Sequence, residues 1–329
     1  MNKEIQPYFK THNIPILLVS SNTYIQFLST VIISIINSAS PYSNYDIIIF
    51  EYEITEKNKK KIQKLIKEKS NFSIRFISCK ENIANRKFYT SLHVTIMTYA
   101  RFIVLDVLKA YEKVIYLDCD IIVNKDIALL YSIDLKNDFI GAVQDSIMYG
   151  WYFDIKSDQK EYNKNKLGLS ESNIYFNAGV LLFNVKLMKQ YYNTTQLLSI
   201  ASSDNYRWFD QDILNMICKN KVKILDNRWN VICHMKGLSY PEQNTPEEYY
   251  KKYLMALSDP WIIHYAGRVL PCYCPNVMNS EYFWYIARKS PFFYIIIYKY
   301  IISVFVNAIF PVRSKRREKL KILFQRLKK

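Results

Sequence analysis

The stretch Lys113-Val-Ile-Tyr-Leu-Asp-Cys-Asp120 decides how this chain is read. A short apolar run ending in carboxylates reads as a buried parallel strand, and ligands of open α/β sheets sit beyond the carboxyl ends of such strands. Asp118 and Asp120, one residue apart, offer hard oxygen donors to a divalent cation, and such cations keep waters and bridge substrate phosphates. The ligand this predicts is a metal–diphosphate. By itself the D-x-D pattern is also that of a solvated Asp-rich turn, so the rest of the chain has to separate the two readings.

Outward from this point, strand-length apolar runs alternate with helical periods. Ile14 to Val19 reads as a strand, and Tyr24, Phe27, Leu28, Val31, Ile32, Ile35 and Ile36 then follow the spacing of an amphipathic helix. Asp46 to Tyr52 and Phe72 to Cys79 read as strands, with the Lys-rich Thr55 to Lys69 between them as a solvated helix. Thr90 to Ala110 reads as the helix leading into the strand that ends at Asp118, and Phe139–Val143, Ala178–Phe183 and Trp261–His264 read as later strands. The alternation predicts an α/β fold with a mainly parallel, doubly wound sheet and flanking helices. Tyr149 to Ser172, polar and aromatic-rich without a period, reads as a loop over the active site. With six glycines, no G-x-G-x-x-G and no Walker A run, the usual glycine-loop phosphate cradles are excluded.

At 329 residues and 50% hydrophobic content the chain has ample material for a core. The net charge of +16 invites a nucleic-acid reading, yet nine Lys/Arg against the single acid Glu318 fall between Arg313 and Lys329, half of the excess. No DNA- or RNA-binding motif accompanies them, which argues against nucleic acid as a partner. The basic run follows Pro291–Pro311, an aromatic and β-branched stretch interrupted by Lys299 and Asn307. A lysine in mid-stretch is costly in hydrocarbon, whereas aromatics with a polybasic flank suit a segment lying on an anionic membrane surface. A buried helix and a true span are the other readings. The chain therefore divides into a domain of residues 1–275 and a hydrophobic and basic membrane-associating helical tail of residues 276–329. The first residues carry an acid and lack the apolar core of a signal peptide. Six scattered cysteines (79, 119, 218, 233, 272, 274), without a CxxC pair, fit thiols in a reducing compartment. The expected location is cytoplasmic, peripherally attached to the inner face of the cell membrane.

Several short motifs change the weight of the D-x-D. The order Thr98-Tyr-Ala-Arg101, Tyr116-Leu-Asp-Cys-Asp120, Phe176-Asn-Ala-Gly179, Asp210-Gln-Asp212, Trp229-Asn230 and His264-Tyr-Ala-Gly267 resembles the retaining glycosyltransferase family 8, particularly its bacterial lipopolysaccharide galactosyl- and glucosyltransferases. The resemblance covers roughly residues 14 to 275, and joint order and spacing carry it rather than any one motif. It implies a GT-A fold, a UDP-hexose donor, usually Mn²⁺ with Mg²⁺ as the alternative, and a saccharide acceptor on a lipid carrier or lipopolysaccharide core.

By the same resemblance Asp118, Asp120 and His264 hold the metal, and Arg101, Asn177, Asp145, Asp210 and Gln211 surround the transferred hexose. Cys119, Ala178, Gly267 and Arg268 join the donor site, as do Ser21, Asn22 and Tyr24 at the end of the first strand. His93 matches an acceptor-side position. Carboxylates and amides suit a sugar because its hydroxyls both donate and accept. Gln211 stands where a double displacement would need a nucleophile, and an amide is a poor one. A front-face displacement is favoured, with Asp210, or less directly Asp145, as the rival nucleophile. Asp212 reads equally as an acid in the first turn of a helix. Two departures stand out. Ser21-Asn22-Thr23-Tyr24 replaces the family's acid-Asn-Tyr, and Leu270-Pro271-Cys272 replaces its Lys-Pro-Trp, leaving Arg268 to supply the charge toward the diphosphate and Leu270→Lys as a harmless reversion.

Overall fold

The computed structural model describes residues 4–83, 88–90, 96–267 and 269–309. His93, Arg268 and the basic run from residue 313 onward lie outside the described residues. The strands are β1 (Asn13–Ser21), β2 (Asn44–Tyr52), β3 (Phe72–Ser78), β4 (Lys113–Leu117), β5 (Ile121–Val123), β6 (Ile140–Gln144), β7 (Phe176–Asn184), β8 (Val222–Ile224), β9 (Val231–Ile232) and β10 (Ile262–His264). The helices used below are α1 (Ile25–Ser38), α2 (Ser146–Phe153), α3 (Gln159–Asn165), α4 (Phe209–Ile217), α5 (Ser280–Ala287) and α6 (Phe293–Ile309).

Seven strands form one sheet in the order β3-β2-β1-β4-β7-β6-β8, and β5, β10 and β9 form a small second sheet. β3, β2, β1 and β4 are mutually parallel, as are β6 and β8. The sheet is mainly parallel as expected, but β7 runs against both of its neighbours. That reversal brings the start of β7 to the end of β4: Leu117 pairs with Val180, and the Asp118 N–H donates to the Gly179 carbonyl at 2.8 Å. In the small sheet, absent from the sequence reading apart from β10, His264 lies opposite Ile121. The Tyr265 N–H reaches the Asp120 carbonyl at 2.9 Å.

Three local expectations are corrected. α1 is enclosed rather than amphipathic, with every residue from Ile25 to Ile35 buried. Its hydroxyls are satisfied locally: Thr30 and Ser34 donate to the carbonyls of Phe27 and Val31 at 2.7 Å, and Ser290 donates to Ser29 at 2.9 Å. Such back-bonding allows polar side chains inside a core. The segment leading to β4 winds as a 3₁₀ helix over Ile96–Ile103 followed by one α turn. A 3₁₀ turn eclipses side chains three apart, and this sets Thr98 beside Arg101. The stretch read as a loop holds α2 and α3; α2 is capped by Asp145, whose carboxylate accepts the Met148 N–H at 2.9 Å.

At the C-terminal side Phe283, Ile286, Phe292 and Ile296 join the same core cluster as α1 and β1. The division at residue 275 therefore does not coincide with an edge of that core. Lys299 donates to the Tyr273 hydroxyl at 2.9 Å, and Ser303 to the Tyr273 carbonyl at 2.6 Å. The other face of α6 leaves Tyr294, Tyr298, Ile301, Phe305 and Ile309 exposed. Among the described residues no helix is long and apolar enough to cross a membrane.

Candidate active site

Asp118, Asp120 and His264 converge at the carboxyl edge of β4, with one ligand atom from each lying within 4.8 Å of the others. His264 Nε2 is 3.3 Å from Asp120 and 3.9 Å from Asp118. Its Nδ1 lies 3.0 Å from Asn230 Oδ1, an acceptor, so the N–H sits on Nδ1 and the Nε2 lone pair faces the carboxylates. Burial works against a charged imidazole here, but Asp120 and Asp118 outweigh it and hold His264 above its ordinary pKa. A cation would take the place of the second proton, the one that Nε2 gains when the ring is charged. The space is kept clear by Gly179: a Cβ there would lie 2.3 Å from His264 Cε1 and 3.0 Å from Asp118 Oδ2. Two hard carboxylates, one imidazole and an unobstructed gap between them fit a divalent cation. Among the described residues no other cluster of three such groups occurs, and no disulfide joins Cys272 to Cys274.

Arg101 ties this edge to the Asp210 side. Nearly fully buried, it donates to Asp118 at 3.1 Å, to the Ala178 carbonyl at 2.6 Å, and pairs with Asp210 at 3.0 Å. Its guanidinium lies 4.3 Å from the centre of the Tyr116 ring, and the Tyr116 hydroxyl donates to Asp118 at 2.5 Å. Thr98 donates to the other oxygen of Asp210. Burial pushes Asp210 up to about 6 despite the opposing pull of Arg101 and Thr98.

A carboxyl with a folded pKa above its unfolded value stabilises the fold below the unfolded value and loses that contribution as pH rises through the folded one. Asp210→Asn removes the titration. In the absence of divalent cations, its stability relative to the parent is expected to improve between about pH 4 and pH 6.5, by up to about 3 kcal/mol. Thermal melts across that range read the difference, and a pH-independent offset would contradict it.

A line of amides continues from His264. Asn230 donates to Asn177 Oδ1 at 2.8 Å, Asn177 to Asp145 at 2.9 Å, and Gln211 to Asp145 at 3.0 Å, while Gln211 Oε1 accepts the Ala178 N–H at 3.0 Å. Burial raises the Asp145 carboxyl, and the donors Asn177, Met148 N–H and Gln211 moderate the rise. Asn215 clamps α4 onto β7 by bonding both the N–H and the carbonyl of Phe176 at 2.8 and 2.9 Å. Asp212 is structural: fully buried, it accepts from Tyr162, Tyr175 and the Trp208 N–H at 2.5 to 2.8 Å.

Asp118, Asp120, His264, Arg101, Asp210, Asn177, Ala178, Asp145 and Gln211 are thus brought together. The Cys119 side chain is not; it turns into the core, 3.4 Å from the Val19 carbonyl, where burial raises the thiol. Asn22 accepts from Thr55 and Asn58 at 3.2 and 2.8 Å, and Ser21 shares a hydrogen bond with Thr23 at 2.9 Å. Burial raises the Tyr24 hydroxyl, and the negative charge of Asp120 adds to the rise. Gly267 makes a turn at φ 75°, a left-handed conformation that favours glycine. Leu270 is 1% exposed in the apolar core, so Leu270→Lys would bury an ammonium rather than restore a diphosphate contact. Tyr116, Thr98, Gly179 and Asn230 lie in the quoted motifs, but spacing assigned them no role. For Tyr116 a signal existed: two residues before Asp118, it shares that residue's face of the strand.

The model of glycosyl transferase family 8 matches residues 15–271. A putative glycosyltransferase of Haemophilus influenzae is 31% identical over 255 residues, 77% of this chain and 71% of its own length. A lipopolysaccharide 1,2-glucosyltransferase of Escherichia coli is 27% identical over 59% of this chain and 55% of its own. Among solved structures, the apo WbbM bifunctional glycosyltransferase superposes with a TM-score of 0.80 at 27% identity, over 91% of this chain and 54% of that one. The galactosyltransferase LgtC, in complex with donor and acceptor sugar analogues, superposes with a TM-score of 0.67 at 22% identity over 84% and 96%, a likeness of fold. The family match over most of the chain and the relative from H. influenzae establish that this chain is a glycosyltransferase of family 8 with the GT-A fold.

Proposed function

We propose that the enzyme moves galactose or glucose from UDP to a saccharide acceptor carried on a lipid, such as a lipopolysaccharide core, with retention of configuration and a divalent cation, Mn²⁺ or alternatively Mg²⁺. The observation that carries this reading is the convergence of Asp118, Asp120 and His264 beside a glycine that leaves the gap open. When bound there, the cation would act as a Lewis acid on the diphosphate, on which negative charge grows as the sugar leaves. Arg101 fixes Asp118 and Asp210, and Asn177, Asp145, Asp210 and Gln211 supply donors and acceptors for hexose hydroxyls. Arg268, next to the turn at Gly267, is the candidate for the contact that a lysine usually makes.

Retention by double displacement needs a free carboxylate, and the candidates are committed elsewhere. Asp210 is paired with Arg101 and Thr98, Asp145 accepts three hydrogen bonds, and Gln211 is an amide held at both ends. A front-face displacement follows: the C1–phosphate bond breaks, the acceptor oxygen bonds C1 on the same face, and the departing phosphate oxygen takes the hydroxyl proton. Incubation with Mn²⁺ and a panel of UDP-sugars, reading UDP release and the anomeric configuration of the product, tests the whole reading. Undiminished release in excess chelator, or a sugar covalently attached to Asp210 or Asp145 by intact mass, contradicts it.

The related proposal for location is peripheral attachment to the cytoplasmic face of the membrane through the exposed side of α6 and the basic run after it. Each basic residue near an anionic surface contributes about 1 kcal/mol, screened within about 8 to 10 Å at physiological salt. Because Ile296 is a core residue and Phe293 and Ile295 pack against that core, deleting α6 would damage the fold; polar replacement of Tyr298, Ile301 and Phe305 is the cleaner test. Deletion of residues 313–329 should make binding to anionic vesicles weaker and less salt-sensitive, and the triple replacement should abolish flotation without changing UDP release. Failure of the full chain to float with such vesicles rules the attachment out.

A further inference from the structure

The aromatic-rich segment read as a loop encloses, with α2, α3 and the residues before β7, a cavity of about 480 Å³. That volume is within the range of small-molecule sites. Gln144, Tyr149, Tyr152, Asn163, Lys164 and Tyr175 line it. Several polar groups there are unused by the fold. Asn163 is 7% exposed and its Oδ1 accepts from Gln159 at 2.8 Å, but its amide nitrogen has no partner among the described residues. The Gln144 carboxamide and the Tyr149 hydroxyl likewise make no side-chain hydrogen bond among the described residues. Lys160, at the rim, lies 5.3 Å from the centre of the Tyr152 ring and pairs with Glu171 at 2.8 Å.

The cavity also abuts the catalytic layer. Gln144 precedes Asp145, the Met148 N–H in its wall donates to Asp145 at 2.9 Å, and the Tyr175 carbonyl accepts the Asp145 N–H at 2.9 Å. Asp145 does not itself line the cavity, but it is hydrogen-bonded to two residues that do. Aromatic faces take the apolar C–H face of a sugar ring, and the uncommitted amides and Tyr149 hydroxyl match hydroxyls that donate and accept. A nucleotide or phosphate would call for a denser set of cations than one ion-paired lysine and Lys164.

We propose that this cavity is a remote subsite for the acceptor glycan, taking a sugar residue beyond the one that is glycosylated. The proposal rests on the saccharide-acceptor reading and assigns the specificity for acceptor length to Tyr149, Tyr152 and Asn163. The test is calorimetric titration of the full chain with two oligosaccharide ladders, an α-glucan and a β-galactan series from mono- to tetrasaccharide. Binding should tighten about tenfold from the monosaccharide to a longer member of at least one series, and Tyr152→Ala and Asn163→Ala should each remove that gain while acceptor-free UDP release stays at the parental value; the melting temperature should hold in Tyr152→Ala and fall in Asn163→Ala, which strands the Gln159 amide. Asp120→Asn should abolish UDP release yet keep the oligosaccharide affinity, which separates failure of this subsite from failure of the donor reading. If no ladder shows a gain with length, or if the gain survives both substitutions, the cavity is not an acceptor subsite.

Discussion

Asp120→Asn is expected to lower Mn²⁺-dependent UDP release on the order of 10³-fold, a barrier increase of about 4 kcal/mol, with the melting temperature little changed. The side chain lies at a strand end 15% exposed, faces His264 at 3.3 Å and forms no other ion pair among the described residues. Asparagine keeps the shape and one oxygen but removes a charge from the donor set, and a divalent cation held by few protein ligands depends strongly on each. The companion measurement is Mn²⁺ binding by electron paramagnetic resonance, which should weaken in parallel. Full turnover in this variant, or turnover unaffected by chelation, would remove the cation from the reading altogether.

Gly179→Ala is expected to be nearly as damaging although it adds one methyl and no charge. The new Cβ would meet the His264 ring at 2.3 Å, closer than such contacts occur, and His264 has no room to retreat because it is 3% exposed and held by Asn230 at 3.0 Å. Nor can the backbone yield freely, since the Gly179 N–H donates to Asn177 at 2.9 Å and its carbonyl accepts from Asp118 at 2.8 Å. Overpacking of this kind costs about 1 to 3 kcal/mol of stability. Because the displaced group is the imidazole, UDP release should fall at least about a hundredfold, or about 3 kcal/mol in barrier. Parental turnover in Gly179→Ala would mean that His264 does not have to occupy the position it holds here.

Much of the molecule was legible in the chain because buried parallel strands announce themselves as apolar runs. β1 to β4 and β10 lie within a few residues of where periodicity placed them. α2 and α3 escaped notice for a related reason. α2 buries residues on more than one side, Ser146, Met148 and Gly150 among them, and so has no polar stripe to reveal a period. The 3₁₀ winding of Ile96–Ile103 was equally invisible, since the partner of Thr98 and Arg101, Asp210, lies more than a hundred positions away in the chain. α6 carries both signals at once: its inward side packs Phe293, Ile295 and Ile296 on the core, and its outward side keeps the aromatics that made the stretch read as a membrane surface segment.

The sequence by itself determined the chemical parts: carboxylates one residue apart after an apolar strand, a histidine ending another, and amides and acids in motifs of set order. Strand direction and pairing were left to the tertiary structure. An apolar run reads the same whichever way it crosses the sheet, so nothing local showed that β7 is reversed, yet only that reversal brings Asn177 and Gly179 to the edge where Asp118 ends β4. The same holds for β10, whose antiparallel pairing with β5 delivers His264 to Asp120 from 144 positions away in the chain. Long-range pairing is selected by burial of whole strand faces and by satisfaction of backbone hydrogen bonds across the sheet, and neither quantity exists until the strands have met.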